Sequence, residues 1–149
     1  MKNFPDLPPL WWLASIAIIY AAKRFVPEWH FQAPVLTLVS WLVLAAALIL
    51  IGWSAIWFWR KKTPIEPHHR PKDLIVEGPY RISRNPIYLA LVMLTAASAI
   101  GHGSIIGLAM TVLLWKILDT RFATPEEQGL RQAFGDAAEE YIQNTRRWL

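Results

Sequence analysis

The feature that most constrains this chain is a long segment without charge. Residues 35–59 contain no Asp, Glu, Lys or Arg over 25 positions. An apolar helix needs about 20 residues to cross the hydrocarbon core of a bilayer, so the segment predicts a transmembrane helix. Three tryptophans, Trp53, Trp57 and Trp59, stand near its end, where an aromatic belt is expected at the membrane interface. The basic run 60–62 follows directly and marks the end of the span.

The composition agrees with a membrane setting. Of 149 residues, 54% are hydrophobic and only 17% are charged, a combination that is rare in soluble domains. The net charge of +4 does not indicate nucleic acid, because the basic residues flank apolar runs rather than forming one patch. The sequence has no cysteine, which excludes disulfides, thiolate metal sites and cysteine nucleophiles.

Three further segments predict membrane spans. Residues 7–26 form the first, for which a cleaved signal peptide is the alternative; the prolines near its start and the later spans argue against that alternative. The stretch 85–115 is free of charge, and Gly101-His102-Gly103 divides it, which predicts a helical hairpin with arms 86–100 and 104–122. The first arm is short for a full crossing, at ~22 Å by helical rise.

The cations predict an orientation for this four-span arrangement. Of the 15 Lys and Arg residues, 12 fall on one side, Lys23 and Arg24 fall on the other, and Lys116 lies inside the last span. By the positive-inside rule, both termini and the loop between the second and third spans face the cytoplasm. We therefore expect a multi-pass protein of the cell (inner) membrane.

The last part of the chain reads as water-soluble and helical. Thr124-Pro125-Glu126-Glu127 is typical of a helix start, with Thr as cap and Pro at the first position. Gly135 predicts the end of that helix, and Asp136 the start of another, so cytosolic helices are expected over residues 125–145. Arg146-Arg147-Trp148 suggests an interfacial latch. The chain as a whole, residues 1–149, is predicted to be a single all-α domain.

A rigid corner joins the central loop to the hairpin. Pro79 and Pro86 fix the backbone at two places, and Gly78 permits the unusual angle that a turn needs. Pro86 suits the first position of a helix that enters the membrane. Tyr80 and Tyr88 combine an apolar ring with a polar tip, which suits an interface. Composition alone favours a basic membrane anchor here over a ligand site.

The predicted topology brings residues 73–88 and 121–127 to the same membrane face. Their carboxylates could bind hydroxyls or a cation, their aromatic rings could face a cation such as a sulfonium, and their arginines could neutralise a carboxylate or phosphate. The candidate residues are Tyr80, Arg84, Tyr88, Arg121, Glu126 and Glu127. The alternative for the two glutamates is a purely structural role, since acidic residues stabilise a helix N-terminus. No metal-ligand set is evident, and His68-His69 read as solvated.

The motifs in this region resemble a known family. The sequence 74–80, Leu-Ile-Val-Glu-Gly-Pro-Tyr, is followed by Arg-Asn-Pro-Ile-Tyr at 84–88 and by the pair Glu126-Glu127. Leu130, Phe134-Gly135, Tyr141 and a final Arg147-Trp148-Leu149 complete the pattern. In order and spacing these pieces resemble the isoprenylcysteine carboxyl methyltransferase family and its phospholipid methyltransferase relatives. The resemblance covers about half of the chain.

The resemblance implies an integral membrane methyltransferase that uses S-adenosylmethionine. The cofactor-binding residues that it implies are Leu74, Val76, Tyr80, Asn85, Pro86, Tyr88, Glu126 and Glu127. Arg121 and Arg84 are the implied catalytic residues, with Arg121 placed near the acceptor. The acceptor is expected to be amphipathic, either prenylcysteine carboxylate-like or phospholipid-like, and to enter from the bilayer; no metal and no nucleic acid are expected.

Some positions depart from the carboxyl methyltransferase pattern. Asp73 and Asn85 stand where the eukaryotic enzymes have His, and Ala138 replaces a Tyr. These departures bear on the prenylcysteine acceptor more than on the methyl donor. Two other functions stay open: a membrane reductase of similar architecture that uses reduced nicotinamide dinucleotide phosphate, and a small membrane protein without catalytic activity.

Overall fold

A computed structural model describes residues 6–26, 31, 33–61 and 74–149. All regular secondary structure in these ranges is helical, which confirms the all-α fold class for the part of the chain that the structure describes. The predictions for the proline-rich loop, including solvated His68-His69 and the departure at Asp73, lie outside the described residues.

Six α-helices follow one another in the described ranges. They are α1 Pro8–Phe25, α2 Pro34–Lys61, α3 Pro86–Gly101, α4 Ile105–Leu118, α5 Thr124–Phe134 and α6 Asp136–Asn144. A 3₁₀ turn, Gly78–Arg81, precedes α3, and a π turn, Asp119–Ala123, joins α4 to α5. The hairpin break falls at Gly101-His102-Gly103, as the sequence predicted, and Pro86 is the first residue of α3.

The first four helices run up and down in a bundle. At one end, Arg121 donates to Asp6 before α1 (2.8 Å), and Lys61 at the end of α2 donates to Glu77 (2.8 Å). At the other end, the Phe31 N–H donates to the Gly103 carbonyl oxygen (2.8 Å). The first end therefore gathers the start of α1, the end of α2, the start of α3 and the end of α4, together with α5 and α6.

Small and aliphatic residues fill the centre of the bundle. Leu91 of α3 packs with Leu114 and Leu118 of α4 and with Phe122 of the π turn, and aromatic residues of α1 cover this cluster. The apolar face of α2 points outward instead. Large side chains such as Trp41 and Ile49 are 64% and 68% exposed on it, which suits contact with lipid rather than with water.

One helix in the described ranges, α2, is long and apolar enough by length and composition to cross a membrane. Only 6% of its most apolar window is buried inside the protein, so α2 does not resemble the core helix of a soluble protein. The helix α3 is apolar but shorter, with 16 residues or ~24 Å. Length and composition therefore do not confirm the four-span prediction.

The corner before α3 depends on a glycine. Gly78 adopts φ +60°, and a Cβ built on it would lie 1.9 Å from Nε1 of Trp57. Both the backbone angle and the approach of α2 therefore require a residue without a side chain. This contact holds the 3₁₀ turn against the end of α2.

The helix α5 does begin at Thr124, but the prediction that Thr124 caps a free helix end is wrong, because the helical path continues from α4 through the π turn into α5. Thr124 has helical angles, its N–H bonds to the Asp119 carbonyl five residues back, and its hydroxyl donates to the same oxygen (2.8 Å). The wider turn leaves room for Pro125, which has no N–H to donate. Gly135 does end α5, at φ +55°, and α6 begins at Asp136.

Candidate functional site

Two segments from distant parts of the sequence contact each other at the end of the bundle. Tyr88 lies in the first turn of α3, and its hydroxyl donates to the carboxylate of Glu126 in the first turn of α5. The Tyr88 ring lies beside Phe122, with 6.1 Å between ring centroids. The structure thus brings together one of the predicted tyrosines and one of the predicted glutamates.

Glu126 lies in surroundings that disfavour its charge. Burial raises the pKa of its carboxyl to about 7, and the hydrogen bond from Tyr88 only partly offsets that effect. The hydroxyl of Tyr88 is a neutral donor, so it does not balance the negative charge of the carboxylate. A cation that arrived beside Glu126 would provide that balance.

Glu127, the next residue, has the opposite environment. It is 3% exposed, yet it accepts from Nε of Arg84 (3.0 Å) and from Nε and Nη2 of Arg147 (2.8 and 2.7 Å). Burial would raise its pKa, but the guanidinium groups of Arg147 and Arg84 hold the pKa below its usual value. Glu127 is therefore ionised and fully engaged by arginine, which leaves little of it for a ligand.

Arg84 serves the same ion network. Besides Glu127, its Nη1 donates to the carbonyl oxygens of Ile142 and Thr145, the latter at 2.6 Å. Its side chain is 11% exposed. The structure places this predicted catalytic residue between α5 and α6, where it ties the helices together.

Tyr80 lies in a second hydrophobic cluster, distinct from the one formed by Leu91 and Phe122. Its ring meets Phe58 of α2 edge-on at 5.8 Å, and its carbonyl oxygen accepts from the Tyr141 hydroxyl (2.7 Å). Burial raises the pKa of Tyr80, and the nearby charge of Glu126 adds to the effect. Leu74 packs against this cluster, whose buried aliphatic residue is Ile75.

Three further residues that were predicted to bind the cofactor differ in how deeply they are buried. The Asn85 side chain is 7% exposed and donates to the Arg147 carbonyl oxygen (3.4 Å). Pro86 is buried at the start of α3, and Val76 is 37% exposed. Asn85 and Pro86 thus shape the backbone beside Tyr88, and Val76 is the most exposed of the three.

Arg121, the predicted acceptor residue, faces α1. Its Nη2 donates to Asp6 (2.8 Å), and its guanidinium lies 5.2 Å from the centroid of a Trp11 ring. The side chain is 52% exposed. It stays accessible from the same end of the bundle, but its contacts are separate from the Tyr88–Glu126 pair.

The sequence did not lead us to place Arg147 or Asp119 among the candidate site residues. Arg147 was expected at the membrane interface, but it binds Glu127 and donates from Nη1 to Asp119 (3.0 Å), which also accepts from the indole of Trp148 (3.0 Å). A signal was present, because an acidic residue inside a predicted span, 104–122, requires a partner.

Other features of the described residues do not offer a ligand site comparable to the Tyr88–Glu126 pair. Among them, no group of three or more His, Cys, Asp or Glu residues is placed to hold a metal ion. A cavity of about 330 Å³ lies at the opposite end of the bundle, between Phe31, Thr37 and Gly101. It is remote from the Tyr88–Glu126 pair.

The helical fold, the lipid-facing α2 and this partly buried carboxylate define the class: a helical membrane protein with a candidate small-molecule site at one end of its bundle. The sequence profile described as Phospholipid methyltransferase matches residues 35–137, more than half of the chain. The chain belongs to the phospholipid methyltransferase family. This is a family of membrane methyltransferases that act on lipid substrates. No curated protein and no solved structure matches the chain.

Proposed function

We propose that this protein transfers a methyl group from S-adenosylmethionine to an amphipathic, lipid-like acceptor at the cytoplasmic face of the membrane. The observation that carries the proposal is the Tyr88–Glu126 pair, which joins the two segments of the motif in one site. Family membership supports the reaction class, and the chemistry of the pair supports the donor.

The residues of the site suit a cationic ligand. S-adenosylmethionine carries a sulfonium and an ammonium group, and when bound it supplies an electrophilic methyl group. The carboxylate of Glu126 has a neutral hydrogen-bond donor, so a cation would complete its charge balance. Tyr88 offers an aromatic ring beside that carboxylate, and ring faces attract cations.

We assign different roles to the two glutamates. Glu126 would bind the donor directly, with Tyr88, whereas Glu127 and Arg84 would hold α5 and α6 in place. Leu74, Val76, Tyr80, Asn85 and Pro86 would form the walls around the ligand. Catalysis would then consist mainly of positioning and of excluding water, which suits a displacement at a methyl carbon.

The acceptor would come from the bilayer. Its lipid tail would lie between helices within the membrane, and its polar group would reach the end of the bundle where Glu126 lies. Arg121 is half-exposed at that end and is our candidate for contact with an anionic acceptor group such as a carboxylate or phosphate. Both acceptor classes, prenylcysteine carboxylate-like and phospholipid-like, fit this arrangement.

We also propose four crossings of the inner membrane, by α1, α2, α3 and α4. The bundle supports this, because each helix runs between the same two ends. The π turn continues the 14-residue helix α4 toward the end of the bundle where Glu126 lies, which lengthens the second arm of the hairpin.

Binding of S-adenosylmethionine to the detergent-purified protein tests the proposal. We expect Tyr88→Phe and Glu126→Gln each to weaken binding by about tenfold or more, which corresponds to ~1.4 kcal/mol. Tyr20→Phe and Glu140→Gln are matched controls, because Tyr20 lies at the opposite end of the bundle and Glu140 is exposed on α6. Both controls should bind as the wild type does.

A parallel titration with reduced nicotinamide dinucleotide phosphate separates the rival functions. Binding of this nucleotide in place of S-adenosylmethionine would support a reductase. Binding of neither would support a protein without catalytic activity. Equal weakening by the site variants and the controls would contradict the assignment of the site.

A further inference from the structure

Arg147 makes more contacts between elements than the sequence suggested. Its side chain binds Glu127 of α5 through two nitrogens, at 2.8 and 2.7 Å, and Asp119 of the π turn at 3.0 Å. Its Nη1 also lies 3.2 Å from the Thr124 hydroxyl. One guanidinium thus reaches the first residue of the π turn and the residue that follows it.

The main chain around Arg147 holds the corner at the start of α3. Its carbonyl oxygen accepts from the Ser83 hydroxyl (3.0 Å) and from the Asn85 side chain (3.4 Å). The neighbouring carbonyl of Arg146 accepts from the Arg84 N–H (2.9 Å). Residues 145–148 therefore connect the corner that precedes Tyr88 with the helix that carries Glu126.

These contacts determine how the two halves of the site face each other. Tyr88 lies one turn after the corner, and Glu126 lies between Thr124 and Glu127, both of which Arg147 contacts. The planar guanidinium can hold a carboxylate bidentately while a third nitrogen reaches another partner, a geometry that a lysine ammonium cannot reproduce. The family match ends at residue 137 and does not extend to Arg147.

We propose that Arg147 is a positioning residue for the methyl-donor site. It holds the π turn and α5 in the orientation that directs Glu126 toward Tyr88, so the side chain of Arg147 is part of the site. This inference rests on the proposed function, because donor binding is the property that Arg147 supports.

The test compares Arg147→Lys and Arg147→Ala with Arg146→Ala. Arg146 provides the matched control because it is the adjacent arginine, its side chain is exposed, and its carbonyl oxygen is retained in the variant. For each protein, S-adenosylmethionine affinity is measured from pH 5.5 to 8.5, together with thermal stability. Millimolar guanidinium chloride is then added to the Arg147→Ala protein.

We expect both Arg147 variants to bind at least tenfold more weakly than the wild type and with a shifted pH midpoint, because Glu126 no longer has its fixed surroundings. Guanidinium should restore part of the affinity of Arg147→Ala. The Arg146→Ala protein should match the wild type in affinity and pH midpoint.

A lower melting temperature with wild-type affinity and pH midpoint would reduce Arg147 to a structural role and overturn the proposal. If Arg147→Ala does not fold, Arg147→Lys decides the question, since it keeps a positive charge beside the buried Glu127. Failure of the wild type itself to bind S-adenosylmethionine would contradict the proposed function and would be seen before any variant is measured.

Discussion

Two adjacent glutamates have different electrostatic environments. Glu127 is ionised because two arginines surround it, and Glu126 has a raised pKa because burial is opposed only by a tyrosine hydroxyl. Neighbouring positions on a helix point about 100° apart, so one faces the C-terminal residues and the other faces α3. Carboxyls whose environments move their pKa values apart commonly have separate roles in enzymes.

The raised pKa of Glu126 predicts a pH dependence of stability. The carboxyl has a pKa of about 7 in the folded protein and 4.5 in its reference state. Between these values the folded state binds more protons than the unfolded state, so stability falls as pH rises toward 7 and then levels off. We expect this effect to be roughly 1–3 kcal/mol.

Thermal unfolding in detergent between pH 4.5 and 8.5 measures this effect as the difference between wild type and Glu126→Gln. Glu127 contributes with the opposite sign, since its lowered pKa stabilises the fold above the usual carboxyl range and is lost as pH falls. The contribution of Glu127 is common to both proteins and cancels in the difference. A difference that did not change with pH would contradict the assignment.

At the scale of elements, the π turn is the feature that shapes the site. It inserts one more residue into a helical turn than an α-helix holds, while its flanking residues keep helical angles. Phe122 and Ala123 are buried within it, and Asp119 accepts from both Arg147 and Trp148. Wide turns of this kind occur frequently at functional sites.

This geometry predicts unequal effects of two single-residue deletions. Deleting Thr120, which is exposed in the π turn, should convert it to a regular α turn and leave α4 and α5 in their present phase. Deleting Val112, which is 63% exposed in α4, should rotate one part of the helix by about 100° relative to the other.

We therefore expect the Thr120 deletion to fold and to retain measurable binding of S-adenosylmethionine, and the Val112 deletion to lose both cooperative unfolding and binding. Circular dichroism melting and ligand titration check the two outcomes. Equal loss in both proteins would show that the π turn does not absorb an extra residue.

At the scale of the molecule, the bundle has two chemically different ends. Arg121, Lys61 and the C-terminal helices lie at one end, and Lys23 and Arg24 lie near the other. The outward apolar face of α2 lies between them. This distribution is the one that a protein with its site at the cytoplasmic face would have.

The absence of cysteine from the sequence allows a direct test of the orientation. Phe25 is 78% exposed at the end of α1, and Glu140 is exposed on α6. We expect a membrane-impermeant maleimide to label Phe25→Cys in intact spheroplasts and Glu140→Cys only in inverted vesicles. Labelling of both from the same side would contradict the four-span orientation.

The sequence by itself determined the elements and which segments belong together. Uncharged runs, prolines and glycines predicted helices near their observed bounds, because hydrophobic length and backbone restrictions are local properties. The motif around Tyr88 and Glu126 identified the family and the pair. The predicted cap at Thr124 was wrong because the N–H and hydroxyl of Thr124 bond to the Asp119 carbonyl within a continuous turn, and Arg147, distant in sequence, binds both residues.

Only the tertiary structure decided how the charged residues divide their roles. From the sequence, Arg84 and Arg121 were the candidate catalytic residues, and Glu126 and Glu127 were candidate cofactor-binding residues. The fold pairs Glu127 with both Arg84 and Arg147, directs Arg121 toward Asp6, and leaves Glu126 with a neutral donor. Burial and long-range ion pairing produce this difference, and both depend on which residues the packed helices bring together in space.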